Sequence, residues 1–291
     1  MSGPQDSIAI GERSARAAAS QPQPAACVSV PHDREGEQPL LSVRDVSHTV
    51  GDTHVLEGIS FDVFRGEIFG IMGMSGSGKT TLLRLLIGLD RPTSGRILFK
   101  DRDITQLDEF ELNEVRRSMG MCFQYSALFD SMTVAENVAF TMRNRRDVPR
   151  AQVNARVNEL LDLVEMAGTG HRMPADLSGG MKKRVGIARA LMQQPELVFY
   201  DEPSSGLDPV MACNITGLIK RVSEDLGSTA VIVSHDVEHL LAMAHRVLML
   251  HDRHVQVIGT PEELRACEIP IVHQFVHGLG TGPGAELCPA R

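Results

Sequence analysis

Eight consecutive residues have the composition and spacing of a phosphate-binding loop. They are Gly73, Met74, Ser75, Gly76, Ser77, Gly78, Lys79 and Thr80, in the pattern GxxxxGK[ST], with Thr81 directly after them. Small residues let successive backbone N–H groups turn toward one polyphosphate, and the positive end of a following helix faces the same anion. Lys79 is expected to reach the β- and γ-phosphates, and the Thr80 hydroxyl is expected to bind Mg²⁺.

A second group able to do chemistry is the acidic pair Asp201 and Glu202, which follows the apolar run at 197–200. Such a run is typical of a strand covered on both faces, and ligands of α/β proteins bind at the carboxyl ends of these strands. Neighbouring strand residues point to opposite sides, so the two carboxylates are predicted to differ in role. Asp201 is expected to hold Mg²⁺, and Glu202 to orient or deprotonate the attacking water. Alone, such a pair is more often a helix cap or a solvated turn.

The elements that must position these groups form an α/β pattern. Residues 67–72 are typical of a buried strand that leads directly into the glycine-rich loop, and apolar residues at 82–89 form a helical stripe behind it. Further elements are predicted as a helix at about 151–167, a strand at 230–233, an antiparallel hairpin at 247–250 and 255–258, and a helix capped by Thr260 with Pro261 and Glu263. Strands that alternate with helices indicate a sheet with helices on its faces.

Composition argues against several classes of protein. The 291 residues are 42% apolar, carry a net charge of −8 and include no Trp, so no nucleic-acid partner is expected. The five cysteines are scattered and form no CxxC pair, which favours free thiols in a reducing cytosol over disulfides or a zinc site. No apolar run has the length that spans a bilayer, and the N-terminus lacks the apolar core of a signal peptide.

Residues 177–181 narrow the chemistry to one family. Their sequence, Leu-Ser-Gly-Gly-Met, resembles the LSGGQ signature of ATP-binding cassette (ABC) proteins. Further matches are Gln124 at the position of the Q-loop glutamine, residues 205–208 at the D-loop and His235 at the H-loop histidine. The resemblance covers about 40–264. It implies a P-loop NTPase cassette with a RecA-like core, an N-terminal antiparallel β subdomain and an inserted helical subdomain.

The resemblance also implies roles for individual residues, with ATP and Mg²⁺ as ligands. Gln124 would contact Mg²⁺ and sense a permease, and His235 would contact the γ-phosphate as part of the catalytic set with Glu202 and Lys79. The anion nest of Ser178, Gly179 and Gly180 would serve the nucleotide of a second copy, which implies a head-to-tail dimer.

Two departures from the family pattern matter. Met181 replaces the usual Gln, but the nest remains intact because its anion contacts come from Ser178 and the glycines. The aromatic residue that stacks on adenine is missing near 48–50, and either His48 stacks there or Val50 offers an apolar contact.

Within the family, the chain resembles the ATPases of Mla-type (MCE-linked) phospholipid transporters. The similarity lies in residues 123–129, 132–134 and 137–138, in Met181, in Gln274-Phe275, and in Gly278 and residues 282–283. It implies two ATPase chains beneath two transmembrane permease subunits at the cytoplasmic face of the inner membrane. An MCE-domain protein and, in some systems, a STAS-domain subunit would complete the complex.

Three alternatives remain open at this point. The chain could be the ATPase of another ABC importer or exporter, or a nucleotide-binding regulator that hydrolyses little. A non-transport ABC protein acting on DNA or ribosomes is the third, although no second cassette, long coiled-coil insertion or zinc module is visible in the sequence.

Three segments follow from the composition and the resemblance. Residues 1–38 lack periodicity and are predicted to be a disordered tail. Residues 39–264 are interpreted as one ABC ATPase domain, with the helical subdomain at about 125–190. Residues 265–291 form a C-terminal extension that we expect to pack against the neighbouring ATPase.

Overall fold

The structure is a computed structural model that describes residues 28–29, 36–143, 145 and 147–279. Its strands are β1 (Val28–Ser29), β2 (Leu41–Val50), β3 (Thr53–Val63), β4 (Ile68–Met72), β5 (Ser94–Phe99), β6 (Arg102–Asp103), β7 (Met119–Cys122), β8 (Leu197–Asp201), β9 (Thr229–Ser234), β10 (Arg246–His251) and β11 (His254–Gly259). Its α-helices are α1 (Lys79–Leu86), α2 (Glu109–Arg116), α3 (Val134–Val138), α4 (Arg150–Leu163), α5 (Gly179–Ala190), α6 (Pro209–Leu226), α7 (Val237–Met243), α8 (Pro261–Arg265) and α9 (Pro270–Val276). Two 3₁₀ turns lie at Ala139–Met142 and Pro174–Asp176.

A seven-stranded sheet in the order β1-β11-β10-β4-β9-β8-β7 forms the centre of the fold. All its pairs are parallel except β10 with β11, which form the predicted late hairpin. Every residue of β4, β8 and β9 is buried, as continuous apolar runs require in a sheet covered on both faces. Since these three strands are neighbours and parallel, the segments after them meet at one sheet edge.

A second sheet of four antiparallel strands, in the order β3-β2-β5-β6, confirms the predicted antiparallel β subdomain. It shares one apolar core with α1 and with one face of the large sheet. The rings of Phe61 in β3 and Phe69 in β4 stack with their centroids 5.3 Å apart, so this contact joins the two sheets directly.

Helices between β7 and β8 form the predicted helical region, in which α3, α4 and α5 pack together. Asn137 is fully buried there. Its amide nitrogen donates to the carbonyl oxygens of Phe129, Met132 and Thr133, and its amide oxygen accepts from the Phe129 N–H at 2.8 Å. The buried amide of Asn137 thus has its hydrogen-bond partners, and these are backbone groups of the loop that leads into α3.

Near the N-terminus and at the end of α1, the structure differs from the sequence-based prediction. Val28 and Ser29 form a parallel strand on β11, so the prediction of disorder over residues 1–38 was wrong for this pair. The remaining part of that segment before residue 36 lies outside the described residues. Helix α1 ends at Leu86, three residues earlier than the predicted stripe, and the capping box at Thr260 and Glu263 is present.

The C-terminal extension begins with a helix that packs on its own chain. Val272 of α9 is fully buried in the core that contains Leu264, and Ile271 and Phe275 are partly buried against the same core. This packing lies within one chain, so the contact with a neighbouring ATPase stays a prediction, and residues 280–291 lie outside the described part. Across the described residues, no helix is both long and apolar enough to cross a bilayer.

Candidate active site

The phosphate loop connects β4 to α1, as predicted, and Lys79 closes it. The Lys79 ammonium donates to the carbonyl oxygens of Gly73 and Met74, both at 2.8 Å, and the residue is 7% exposed. Burial lowers the pKa of Lys79, and the nearby carboxylates of Glu202 and Asp201 oppose that change. The Lys79 ammonium is therefore held against the backbone of the phosphate loop, in which it is predicted to bind phosphate.

Two glycines of the loop are required by close approaches. A Cβ on Gly73 would lie 2.2 Å from the carbonyl oxygen of Leu250 at the end of β10. Gly78 has a φ of 97°, and a Cβ there would lie 2.9 Å from Leu56 Cδ2 and 3.1 Å from the Val55 carbonyl oxygen. A side chain at either position would push the loop away from the strands that shape it.

Three residues at or just after the end of the phosphate loop have hydroxyl groups that are candidates for binding the nucleotide or its metal ion. Thr80 is exposed at the start of α1, and Thr81 is half-buried beside it. The Ser77 hydroxyl oxygen is buried and has no hydrogen-bond partner among the described residues. A buried hydroxyl without a partner indicates a position where a polar ligand belongs.

The acidic pair lies at the end of β8, and its two residues differ in backbone conformation. Asp201 is the last strand residue, whereas Glu202 lies beyond the strand with a φ of 47°. Strand alternation therefore does not apply to Glu202, whose backbone is in a left-handed turn, and the different roles of the two carboxylates stay a prediction. Both residues are 8% exposed.

One oxygen of Asp201 is free to bind a cation. Its Oδ1 is buried and makes no hydrogen bond within the described part of the chain. Burial raises the pKa of Asp201, Glu202 raises it further, and Lys79 and Lys183 lower it. An unsatisfied carboxylate oxygen close to the phosphate loop is the kind of donor that Mg²⁺ prefers, so the residues present fit this ion.

His235 follows β9 and meets Glu202. The His235 Nδ1 lies 2.7 Å from Glu202 Oε2, and the His235 backbone N–H donates to the same oxygen at 3.4 Å. The imidazole is 62% exposed while the carboxylate is 11% exposed. The structure thus brings these two predicted residues together, with the carboxylate inside and the imidazole toward the open side.

Gln124 contacts the other side of the same region. Its amide nitrogen donates to the Ser205 hydroxyl oxygen at 3.2 Å, which links the predicted Q-loop to the predicted D-loop. Gln124 is half-buried and lies just after β7, the strand next to β8.

The signature residues lie elsewhere in the chain. The Ser178 hydroxyl caps α5 by accepting from the Met181 N–H at 3.3 Å, and Ser178 and Gly179 are exposed. A Cβ on Gly180 would lie 2.4 Å from Met211 Cε in α6. In the described ranges, no hydrogen bond or ion pair joins these residues to the phosphate loop of their own chain.

The two candidates for the adenine contact differ in exposure. Val50, at the end of β2, is 57% exposed. His48 is half-buried, and its Nδ1 is buried without a hydrogen-bond partner among the described residues. The hairpin that carries both also contacts the phosphate loop through Val55.

Sequence reasoning missed Lys183. Its ammonium donates to the carbonyl oxygen of Gln124 and, at 3.2 Å, to that of Glu202. The residue stands five positions after Ser178 in a helix with several basic side chains, which gives no local sign of burial.

A family model described as ABC transporter matches residues 56–205, which include the phosphate loop, Gln124, the signature and the acidic pair. The chain belongs to the ABC transporter family. As an ATP-binding cassette with these residues, this ABC protein is an ATPase.

Curated relatives agree over most of the chain. The ABC protein is 40% identical to the intermembrane phospholipid transport system ATP-binding protein MlaF of Haemophilus influenzae, over 87% of this chain and 96% of the relative. It is 40% identical to MlaF of Escherichia coli, over 86% and 93%. It is 42% identical to the methionine import ATP-binding protein MetN of Brucella abortus, over 73% and 57%.

Solved structures of the family share the fold. The cbiO1 protein of Clostridium perfringens, part of the ABC transporter complex cbiONQ, has a TM-score of 0.74 and 32% identity over 79% of this chain and 92% of its own. The cassette MJ0796, in a dimeric state bound to ADP and Pi, has a TM-score of 0.69 and 30% identity over 76% and 98%.

Proposed function

We propose that this ABC protein is the ATP-hydrolysing subunit that powers phospholipid transport between membranes. The extent of the match to MlaF carries the proposal, since 96% of the Haemophilus influenzae protein is covered at 40% identity. The importer ATPase MetN is as similar over the shared part, but only 57% of its length is covered. The chain therefore matches nearly the whole length of the phospholipid-transport subunit but little more than half of the importer subunit.

The site residues divide the work of phosphoryl transfer. The phosphate loop would surround the triphosphate with backbone N–H groups, and Lys79 would leave the Gly73 and Met74 carbonyls to contact the β- and γ-phosphates. Thr80, Asp201 and Gln124 would hold Mg²⁺, which when bound neutralises charge on the phosphates. The unpartnered Asp201 Oδ1 supports this assignment.

Glu202 would act as the general base and His235 would orient the γ-phosphate. A general base must lie within hydrogen-bond reach of the proton that it accepts. Glu202 is already aligned by His235 Nδ1 at 2.7 Å, and the exposed side of the imidazole leaves it able to contact a phosphate. The proton of the attacking water would pass to a Glu202 carboxylate oxygen. The water oxygen would bond to the γ-phosphorus as the bond between that phosphorus and the bridging oxygen breaks, which releases ADP.

The active form would be a head-to-tail pair of chains. Ser178 and Gly179 are exposed at the start of a 12-residue helix, with Gly180 buried behind them, and none of the three is hydrogen-bonded to its own phosphate loop in the described ranges. Such a nest attracts an anion, so it would complete the nucleotide site of the second copy. The dimeric state of MJ0796 supports a pair of chains.

An apolar groove beside Gln124 would receive the permease. The groove has a volume of about 480 Å³, and its walls include Phe123, Phe129 and Phe140, each close to 40% exposed. Exposed aromatic side chains around a pocket are typical of protein interfaces. A helix of a transmembrane subunit at the cytoplasmic face of the inner membrane would fill it, with an MCE-domain protein and a STAS-domain subunit as further members of the complex.

The proposal is tested by purifying the chain with its native membrane partners and identifying the partners and the bound lipid. We expect permease and MCE-domain proteins with phospholipid. Phe140→Lys is expected to reduce permease recovery by about tenfold, since a charge replaces an aromatic side chain that the permease would cover. Leu226→Lys, which removes another exposed apolar side chain, is the matched control and should retain the permease.

A solute importer with its binding protein in the same preparation would contradict the phospholipid proposal and favour the second candidate, an importer ATPase. That candidate rests on the similarity to MetN. The ATPase activity is common to both.

The exposure of Val50 leads to a prediction about the adenine contact. Val50→Tyr is expected to lower the KM for ATP by about three- to tenfold, because an aromatic contact contributes about 0.5–1.5 kcal/mol. Steady-state ATPase assays with ATP and GTP measure this effect. His48→Ala, on the half-buried alternative, is expected to leave KM nearly unchanged, and the opposite pattern would assign the contact to His48.

A further inference from the structure

Lys183 is a buried cation that the catalytic roles above do not use. It lies in the second turn of α5, after the signature residues, and is 6% exposed. An ammonium group has three donors and is unfavourable to bury unless acceptors surround it. Burial lowers the pKa of Lys183, and the nearby Cys122, Glu202 and Asp201 act in the opposite direction.

Both acceptors of Lys183 are main-chain carbonyls of the nucleotide site. The ammonium donates to the carbonyl oxygen of Gln124, and to that of Glu202 at 3.2 Å. These are the two residues whose side chains are assigned to Mg²⁺ and to the attacking water. Lys183 therefore holds the two residues by their backbone, and leaves their side chains available for the nucleotide.

The backbone around these acceptors has an uncommon conformation. Glu202 has a φ of 47°, and Ser126 and Ala127, in the same loop as the other acceptor, have φ values of 59° and 43°. Non-glycine residues keep such conformations where surrounding contacts hold them. Arg189, further along α5, donates to the carbonyl oxygens of Ala127 at 2.7 Å and Ser126 at 2.5 Å. Helix α5 thus holds the loop after β7 at three carbonyl oxygens and the segment after β8 at one.

We infer that Lys183 is a positioning residue for ATP hydrolysis, which holds the backbone of Glu202 and Gln124 so that their side chains face the nucleotide. The inference rests on the proposed roles of those two residues. Under the proposed dimer, α5 begins at the nest that faces the nucleotide of the second chain. The same helix therefore connects the two ATP sites, and a shift of α5 on closure is passed to the Glu202 backbone through Lys183.

The test compares three side chains at this position in the assembled transporter. Lys183→Met keeps a similar length and removes the donors. We expect kcat to fall by about tenfold or more and the KM for ATP to change by less than about threefold, because Lys183 does not contact the nucleotide. Lys183→Arg can donate to both carbonyls and should recover most of the turnover.

A matched control removes the same charge from the next residue. Lys182→Met, at a half-buried position of the same helix, should keep kcat within about twofold of the original. If Lys183→Met fails to fold, Lys183→Gln, which retains amide donors of shorter reach, takes its place in the comparison. Thermal melts of each complex report stability separately from turnover.

Three results would overturn the inference. One is a lower melting temperature in Lys183→Met with an unchanged kcat per folded complex. Another is a rise in KM that accounts for the whole loss, and a third is no recovery in Lys183→Arg. An original chain that hydrolyses no ATP, or normal turnover in Glu202→Gln, would contradict the proposed function and not the role of Lys183.

Discussion

A Glu202→Gln chain is expected to bind ATP and to lose nearly all turnover, with kcat reduced by about 10²–10⁴. The amide has the shape of the carboxylate but does not accept the proton of an attacking water. Its oxygen can still accept from His235 Nδ1, which lies 2.7 Å from Glu202 Oε2, so the local structure should be retained. The variant should therefore remain loaded with ATP.

Two measurements check this result. Steady-state phosphate release on the assembled complex gives the loss in kcat, and size-exclusion chromatography with ATP and with ADP reports the dimer that should persist with ATP. Glu224→Gln, on the exposed side of α6, is the control for loss of one carboxylate and should behave as the original chain. Normal turnover in Glu202→Gln would remove Glu202 from the role of general base.

A Lys79→Met chain is expected to bind ATP about 100-fold more weakly or worse, since each hydrogen bond from a charged group contributes about 1.5–3 kcal/mol. The Lys79 ammonium is held at 2.8 Å from the Gly73 and Met74 carbonyl oxygens, in position to move to the phosphates. Methionine keeps the length of the side chain without the donors. We therefore expect Kd to rise and kcat/KM to fall in the same variant.

Titration with a fluorescent ATP analogue gives Kd, and the rise in melting temperature on addition of ATP should disappear in the same variant. Lys220→Met, at an exposed position of α6, is the charge control. An unchanged Kd in Lys79→Met would mean that the loop binds its nucleotide through backbone groups alone.

Local rules explain why much of the site was predictable. The glycine spacing, the strand before it and Lys79 at the start of α1 all lie within one short stretch, so near neighbours decide the conformation. The capping box at Thr260 and Glu263 is local in the same way. The order of β4, β9 and β8 in the sheet then brings the predicted residues to one edge.

The features that sequence reasoning missed depend on distant contacts. Lys183 and the Gln124 carbonyl are 59 residues apart, and a buried lysine has no periodic pattern that distinguishes it from solvated ones. Strand alternation does not reach Glu202, since β8 ends at Asp201 and a turn follows. Helix α9 buries Val272 against a core that is assembled from distant parts of the chain.

The short strand β1 affects how the protein behaves when it is shortened. Val28 and Ser29 cover the outer edge of β11 beside Val257 and Ile258. An uncovered strand edge offers N–H and C=O groups to other chains and promotes edge-to-edge aggregation. A version that begins at residue 36 would keep every residue of the nucleotide site and lose this cover. Trimming the N-terminus should therefore lower solubility on storage more than it affects catalysis.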